Sequence, residues 1–149
     1  MNIDRNPRWV DAILEQPWLF FLAKLMLTSA YLVGGVFKLT HFSAATAEQA
    51  HFGLQPAPVW AATAFIIELG GSLLILSGRF VWLGAGALGA LTAIATFAAK
   101  PFWRMTGAAQ FAAFNGALED LGLIAGFVLV AILSQRRRSI KLSNNQDSR

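Results

Sequence analysis

Residues 80–99 carry no charged side chain, and their only hydroxyls are those of Thr92 and Thr96. About 20 apolar residues in a helix are enough to cross the hydrocarbon core of a bilayer, where each backbone N–H and C=O must be satisfied inside the segment. In water the same run would need a polar stripe to face solvent, and it has none. Two further runs read the same way. Residues 17–39 hold only Lys24 and Lys38, and residues 58–78 hold only Glu68. Near the end, residues 121–135 are uncharged but too short to span, and extension to residue 116 supplies the length. That extension places Glu119 and Asp120 just inside one boundary. The pattern predicts an all-α integral membrane four-helix bundle, one domain over residues 1–149, with spans at about 17–39, 58–78, 80–99 and 116–135.

Composition supports this. The chain is 56% hydrophobic and 13% charged, about half the charged fraction of a soluble domain. It contains no cysteine, which excludes disulfides, iron–sulfur ligation and thiol relays from within the chain. The net charge of +4 reads as a membrane-orientation signal and not as a nucleic-acid footprint. The side with both termini and the 77–79 turn carries Arg5, Arg8, Arg79, Arg136, Arg137, Arg138 and Lys141; the other carries Lys38, Lys100 and Arg104. Lysine and arginine concentrate on the cytoplasmic side, so both termini are expected inside, in a plasma membrane. Residues 1–16 show no apolar run ending in a cleavage site, so the first span is expected to act as the insertion signal.

The connections are short. Ser77, Gly78 and Arg79 form a tight hairpin between the second and third spans. Ser43 is a plausible cap for a short helix ending at Phe52 and Gly53, and Pro56 and Pro58 lead into the second span. Residues 100–115 form the third connection. Ahead of the first span, Asn6 and Pro7 open a helix with Trp9, Val10, Ile13 and Leu14 on one face and Arg8, Asp11 and Glu15 on the other, an interfacial amphipathic helix. Residues 139–149 are polar and aperiodic, and are expected to be disordered.

Ionisable groups at depth are the candidates for function. Glu68 lies eleven residues from Arg79, about 16 Å deep and too far to snorkel. It is either a neutral hydrogen-bonding contact between helices or a chemical group. Lys24, Tyr31 and Lys38 share one face of the first span. Lys24 has the plainer alternative of snorkelling to the near interface. Glu119 and Asp120 suit a helix first turn, or with Lys38, Arg104 and His41 form a polar cluster under the surface. Asn115, Glu119, Gly122 and Gly126 share a face, and the two glycines have the spacing of a packing contact. Ala85, Gly89, Thr92 and Thr96 read as packing. His41 and His51 make only a weak metal or haem pair. No metal site is expected.

The chain resembles the DoxX family of bacterial four-span membrane proteins over nearly all of residues 22–133. The resemblance rests on the run Gly35-Val36-Phe37-Lys38-Leu39, on residues 53–58 (Gly-Leu-Gln-Pro-Ala-Pro), and on residues 67–78 (Ile-Glu-Leu-Gly-Gly-Ser-Leu-Leu-Ile-Leu-Ser-Gly). Phe102 with Trp103, and Asn115 with Gly122 and Gly126, complete it. It implies a membrane component of a redox system, some family members being a subunit of a thiosulfate:quinone oxidoreductase. A histidine often precedes the Phe-Trp pair in the family; here Lys100 and Pro101 stand there.

Two classes of function follow. One is a quinone-linked or non-catalytic subunit of a redox system, with Glu68, Lys38, Glu119 and Asp120 as candidates for proton handling. Lys24, Tyr31, Lys38, Glu68, Arg104 and Asn115 are then candidates for ligand binding. No cofactor motif is present, so the redox centre would belong to a quinone or to a partner protein. The other is a membrane anchor or assembly factor with no redox role, or, with oligomerisation, a small-solute carrier.

Overall fold

The computed structural model describes the chain from Pro7 to Asp147, and its side chains from Pro7 to Ser139 except that of Arg8. Among these residues all regular secondary structure is helical, with no strand. A short helix α1 (Arg8–Leu14) precedes α2 (Pro17–Thr40); α3 (Phe42–His51) is followed by α4 (Ala57–Ser77) and α5 (Val81–Ala99). A single 3₁₀ turn (Phe102–Arg104) leads into α6 (Gly107–Asp147). Helices α2, α4, α5 and α6 are each long and apolar enough to cross a membrane. Met26, Val33, Phe97 and Phe111 are each about 70% exposed. A soluble monomer rarely shows so much apolar surface; here it is the lipid face.

Local chemistry sets the helix limits. Gly53 and Gly78 adopt φ of +74° and +72°, the left-handed conformation that ends α3 and α4. Pro58 sits in the first turn of α4, where its missing N–H leaves no bond unmade. His41, not Ser43, precedes the first residue of α3. Asn6 lies outside the described residues.

Two expectations are corrected at the C-terminal end. The fourth helix begins at Gly107 instead of residue 116, because nothing between Gly107 and Asn115 breaks a helix. Phe114 also packs its ring edge-on to Phe102, centroids 5.4 Å apart. The expected disorder from residue 139 is overturned as far as Asp147, since α6 continues that far. Arginine and lysine are good helix formers, and no glycine or proline follows residue 126.

The helices pack in the order α2, α4, α5, α6, and α6 meets α2 only along a narrow seam. Small residues permit the closest approaches. A Cβ on Gly35 would lie 2.8 Å from Leu69 Cγ, and one on Gly126 would lie 3.1 Å from Leu27 Cδ1. Gly122 has open space instead, so only half of the Gly122/Gly126 pair packs. The apolar core, formed by Ile75, Val81, Ala85, Leu88, Phe127 and Val130, occupies the half of the bundle next to the Gly78 turn. The other half, capped by α3, is held together differently.

Candidate functional site

In the α3 half the helices are joined by two ion pairs. Lys38, near the end of α2, donates hydrogen bonds to both oxygens of Glu68 in the middle of α4, at 2.8 and 3.1 Å. The two side chains are 18% and 11% exposed. Gly34 makes the room, since a Cβ there would lie 3.4 Å from Glu68 Oε2 and 3.5 Å from Lys38 Nζ. A carboxylate at this depth is expensive unless paired, and the lysine supplies the partner.

This pair lies against a cavity of about 180 Å³. Its walls are Trp60 and Ala64 of α4 with Leu91, Ile94 and Ala95 of α5; Glu48 and Gln49 of α3 and Phe52 just after it close another side. It therefore combines a mostly apolar wall with one ion pair, the pattern of a small-molecule site in which few polar groups fix orientation. Glu48, a second carboxylate, also lines a shallower groove shared with Gly34, Phe37 and Lys38.

The second pair joins α5 to α6. Lys100 Nζ lies 2.6 Å from Asp120 Oδ2 and donates to the Gly116 carbonyl at 2.9 Å. Thr96 Oγ1 also reaches Asp120 Oδ2, at 2.6 Å, and the Thr92 carbonyl at 2.8 Å. One turn deeper, Tyr31 Oη is 2.6 Å from Thr92 Oγ1. The threonine hydrogen is engaged by the Leu88 carbonyl at 2.7 Å, so the phenol is the donor. Thr92 and Thr96, which read as packing, thus carry a polar ladder along α5.

Of the expected site residues, Lys38 and Glu68 come together at the cavity, and Tyr31 faces the ladder. The expected surface cluster does not form. Lys38 goes to Glu68 and Asp120 to Lys100, while Glu119, Asn115 and Arg104 are exposed. His41 stacks on Phe37 with centroids 4.6 Å apart, and His51 packs edge-on to Phe52. Lys24 does not extend freely to the interface. It is 6% exposed, and its Nζ donates to the carbonyls of Ile75 and Leu76 at 2.9 and 3.3 Å, capping the end of α4. Sequence reasoning missed Lys100, Glu48 and Trp60 as site residues. The signal for Lys100 was its position four residues after Thr96, on the same helical face.

A family model described as DoxX matches residues 19–101. The chain belongs to the DoxX family. No curated protein and no solved structure matches it. The matched region contains the whole Lys38–Glu68 pair and every residue lining its cavity. Asp120 and the rest of α6 lie beyond it. The DoxX match and the four apolar helices make this a multi-pass membrane protein.

Proposed function

We propose that this DoxX-family chain is a plasma-membrane subunit of a bacterial redox system that binds a quinone-class ligand in the cavity beside Lys38 and Glu68 and draws electrons from a partner protein. The observation that carries the reading is the ion pair set against a mostly apolar cavity. At about 180 Å³ the cavity falls below the roughly 300–1,000 Å³ of drug-sized pockets. It suits a single ring, with any isoprenoid tail left outside among the lipids.

Lys38 uses two of its three N–H donors on Glu68, which leaves one to donate to a ring oxygen. Glu68 keeps the ammonium neutralised at depth, and its carboxylate can hold or release a proton at Oε1 or Oε2. Trp60 and Phe52 offer apolar ring faces. A bound quinone would supply a two-electron, two-proton couple, which no residue of this chain provides. The arginines at the end with Arg79 and Arg136 to Arg138 support a cytoplasmic location for that end. The cavity then opens on the opposite side.

The test is extraction in mild detergent, extraction of bound lipids for quinone analysis, and titration of a short-chain quinone while following tryptophan fluorescence. Saturable quenching that is lost in Lys38→Ala supports the reading. A bundle recovered without quinone, with fluorescence unaffected by added quinone, overturns it and favours the anchor function.

A further inference from the structure

We propose that the end of the bundle next to the Gly78 turn holds an anionic phospholipid, its phosphate bound by Arg137 and Lys24 beside the Phe20 ring. The guanidinium carbon of Arg137 lies 4.4 Å from the centroid of Phe20, and Lys24 Nζ lies 5.4 Å from the same centroid. Two cations gathered on one phenyl ring repel each other. The ring face attracts each only modestly. Among the described residues no carboxylate forms an ion pair with Lys24 or Arg137; the pairs Lys38–Glu68 and Lys100–Asp120 lie in the opposite half of the bundle.

The hydrogen-bonding capacity of Lys24 points the same way. Its ammonium has three donors, and the Ile75 and Leu76 carbonyls take two. The third is left for an acceptor that the described residues do not supply. Arg137 is exposed and presents a fork of N–H donors suited to two phosphate oxygens. An anion reaching both groups would neutralise a charge held in a low-dielectric setting.

The location identifies the anion as a lipid headgroup. Trp18 and Trp82 are 59% and 67% exposed at this same end, and exposed tryptophans there mark the headgroup level. Arg136 and Arg138 flank Arg137 in the sequence and mark this end as the one that meets an anionic bilayer surface. Immediately above Phe20, the seam where α6 meets α2, with Leu27 against Gly126 and Tyr31 against Phe127, is narrow. Acyl chains can run alongside it without displacing a core residue. This site is separate from the cavity at Lys38 and stands whether or not a quinone binds there.

The experiment uses the full chain, delipidated in a neutral detergent. Binding of phosphatidylglycerol, phosphatidylcholine and inorganic phosphate is measured by native mass spectrometry and by the shift in melting temperature. Phosphatidylglycerol should bind about tenfold more tightly than phosphatidylcholine, whose choline cation would face Arg137. Arg137→Gln should remove that preference, Arg137→Lys should keep part of it, and Arg138→Gln should change it by less than about twofold. Lys24→Gln, folded as judged by its own melting transition, should weaken phosphatidylglycerol as well. Equal binding of the two lipids would overturn the proposal. So would equal losses in Arg137→Gln and Arg138→Gln, which would mean diffuse attraction to a basic surface. Protection by inorganic phosphate as strong as that by phosphatidylglycerol would overturn the lipid assignment too.

Discussion

Gly84 and Gly71 meet backbone to backbone across α4 and α5: a Cβ built on Gly84 would lie 2.5 Å from the Gly71 carbonyl oxygen. Without a hydrophobic drive between helices in lipid, such close approaches supply the packing that holds spans together. Gly84→Ala is therefore expected to destabilise the bundle by about 1–3 kcal/mol, the usual range for overpacking. Gly86→Ala, with nothing within 4 Å of the added carbon, should be neutral. Melting temperatures in detergent check the pair. Equal stability of both variants would remove Gly84 from the packing argument.

Lys24→Met is expected to destabilise by about 1–3 kcal/mol, because the Ile75 and Leu76 carbonyls at the end of α4 lose their donor. Lys24→Arg should recover part of this, since a guanidinium can also donate to two carbonyls. Thermal melts separate this role from snorkelling, for which Met would cost little. Hydrogen exchange at residues 74–78 should rise in the methionine variant.

These two sites show what could be read from the chain and what could not. Four apolar segments are set by length and hydropathy alone, and the Gly78 hairpin by a residue that tolerates positive φ. The contact between Gly71 and Gly84 depends on which helix faces are opposed, and hydropathy is silent on that when whole helices are apolar. The partner of Glu68 was hidden for a similar reason. Lys38 stands near the end of its span, and only the stagger of α2 against α4, with Gly35 level with Glu68, brings them together. Lys24 misled because snorkelling and capping a neighbouring helix both draw an ammonium towards the same interface. The extra length of α6 was missed because polar residues were taken as the end of structure, although arginine and lysine favour a helix.

Topology gives a separate prediction. Reporter fusions after Arg138 should be active only with a reporter that works in the cytoplasm, and fusions near Gln49 only with one that works outside. The basis is the cluster of arginines at the turn end against Lys38, Lys100 and Arg104 at the α3 end. The reverse pattern would place the Lys38 cavity on the cytoplasmic side, and with it the partner that reaches it.

The Lys38–Glu68 pair makes the most specific prediction, because removing one partner and removing both have opposite expectations. Glu68→Leu strands the Lys38 ammonium in a half-buried site, and Lys38→Met strands the carboxylate. Breaking a buried pair in this way costs about 3–5 kcal/mol. Glu68→Gln should keep the fold, since its amide oxygen still accepts from Lys38 Nζ. The double variant Lys38→Met with Glu68→Leu leaves no unpaired charge and should regain most of the lost stability, because apolar replacement of an ion pair is often neutral. Melting of the four variants in one detergent gives the coupling energy between the two positions directly. Near-zero coupling would mean that the pair contributes neither to the fold nor to a preorganised site. Strong coupling, together with loss of quinone quenching in the stable double variant, would separate function from folding: the bundle would stand without the pair, and the ligand would not bind.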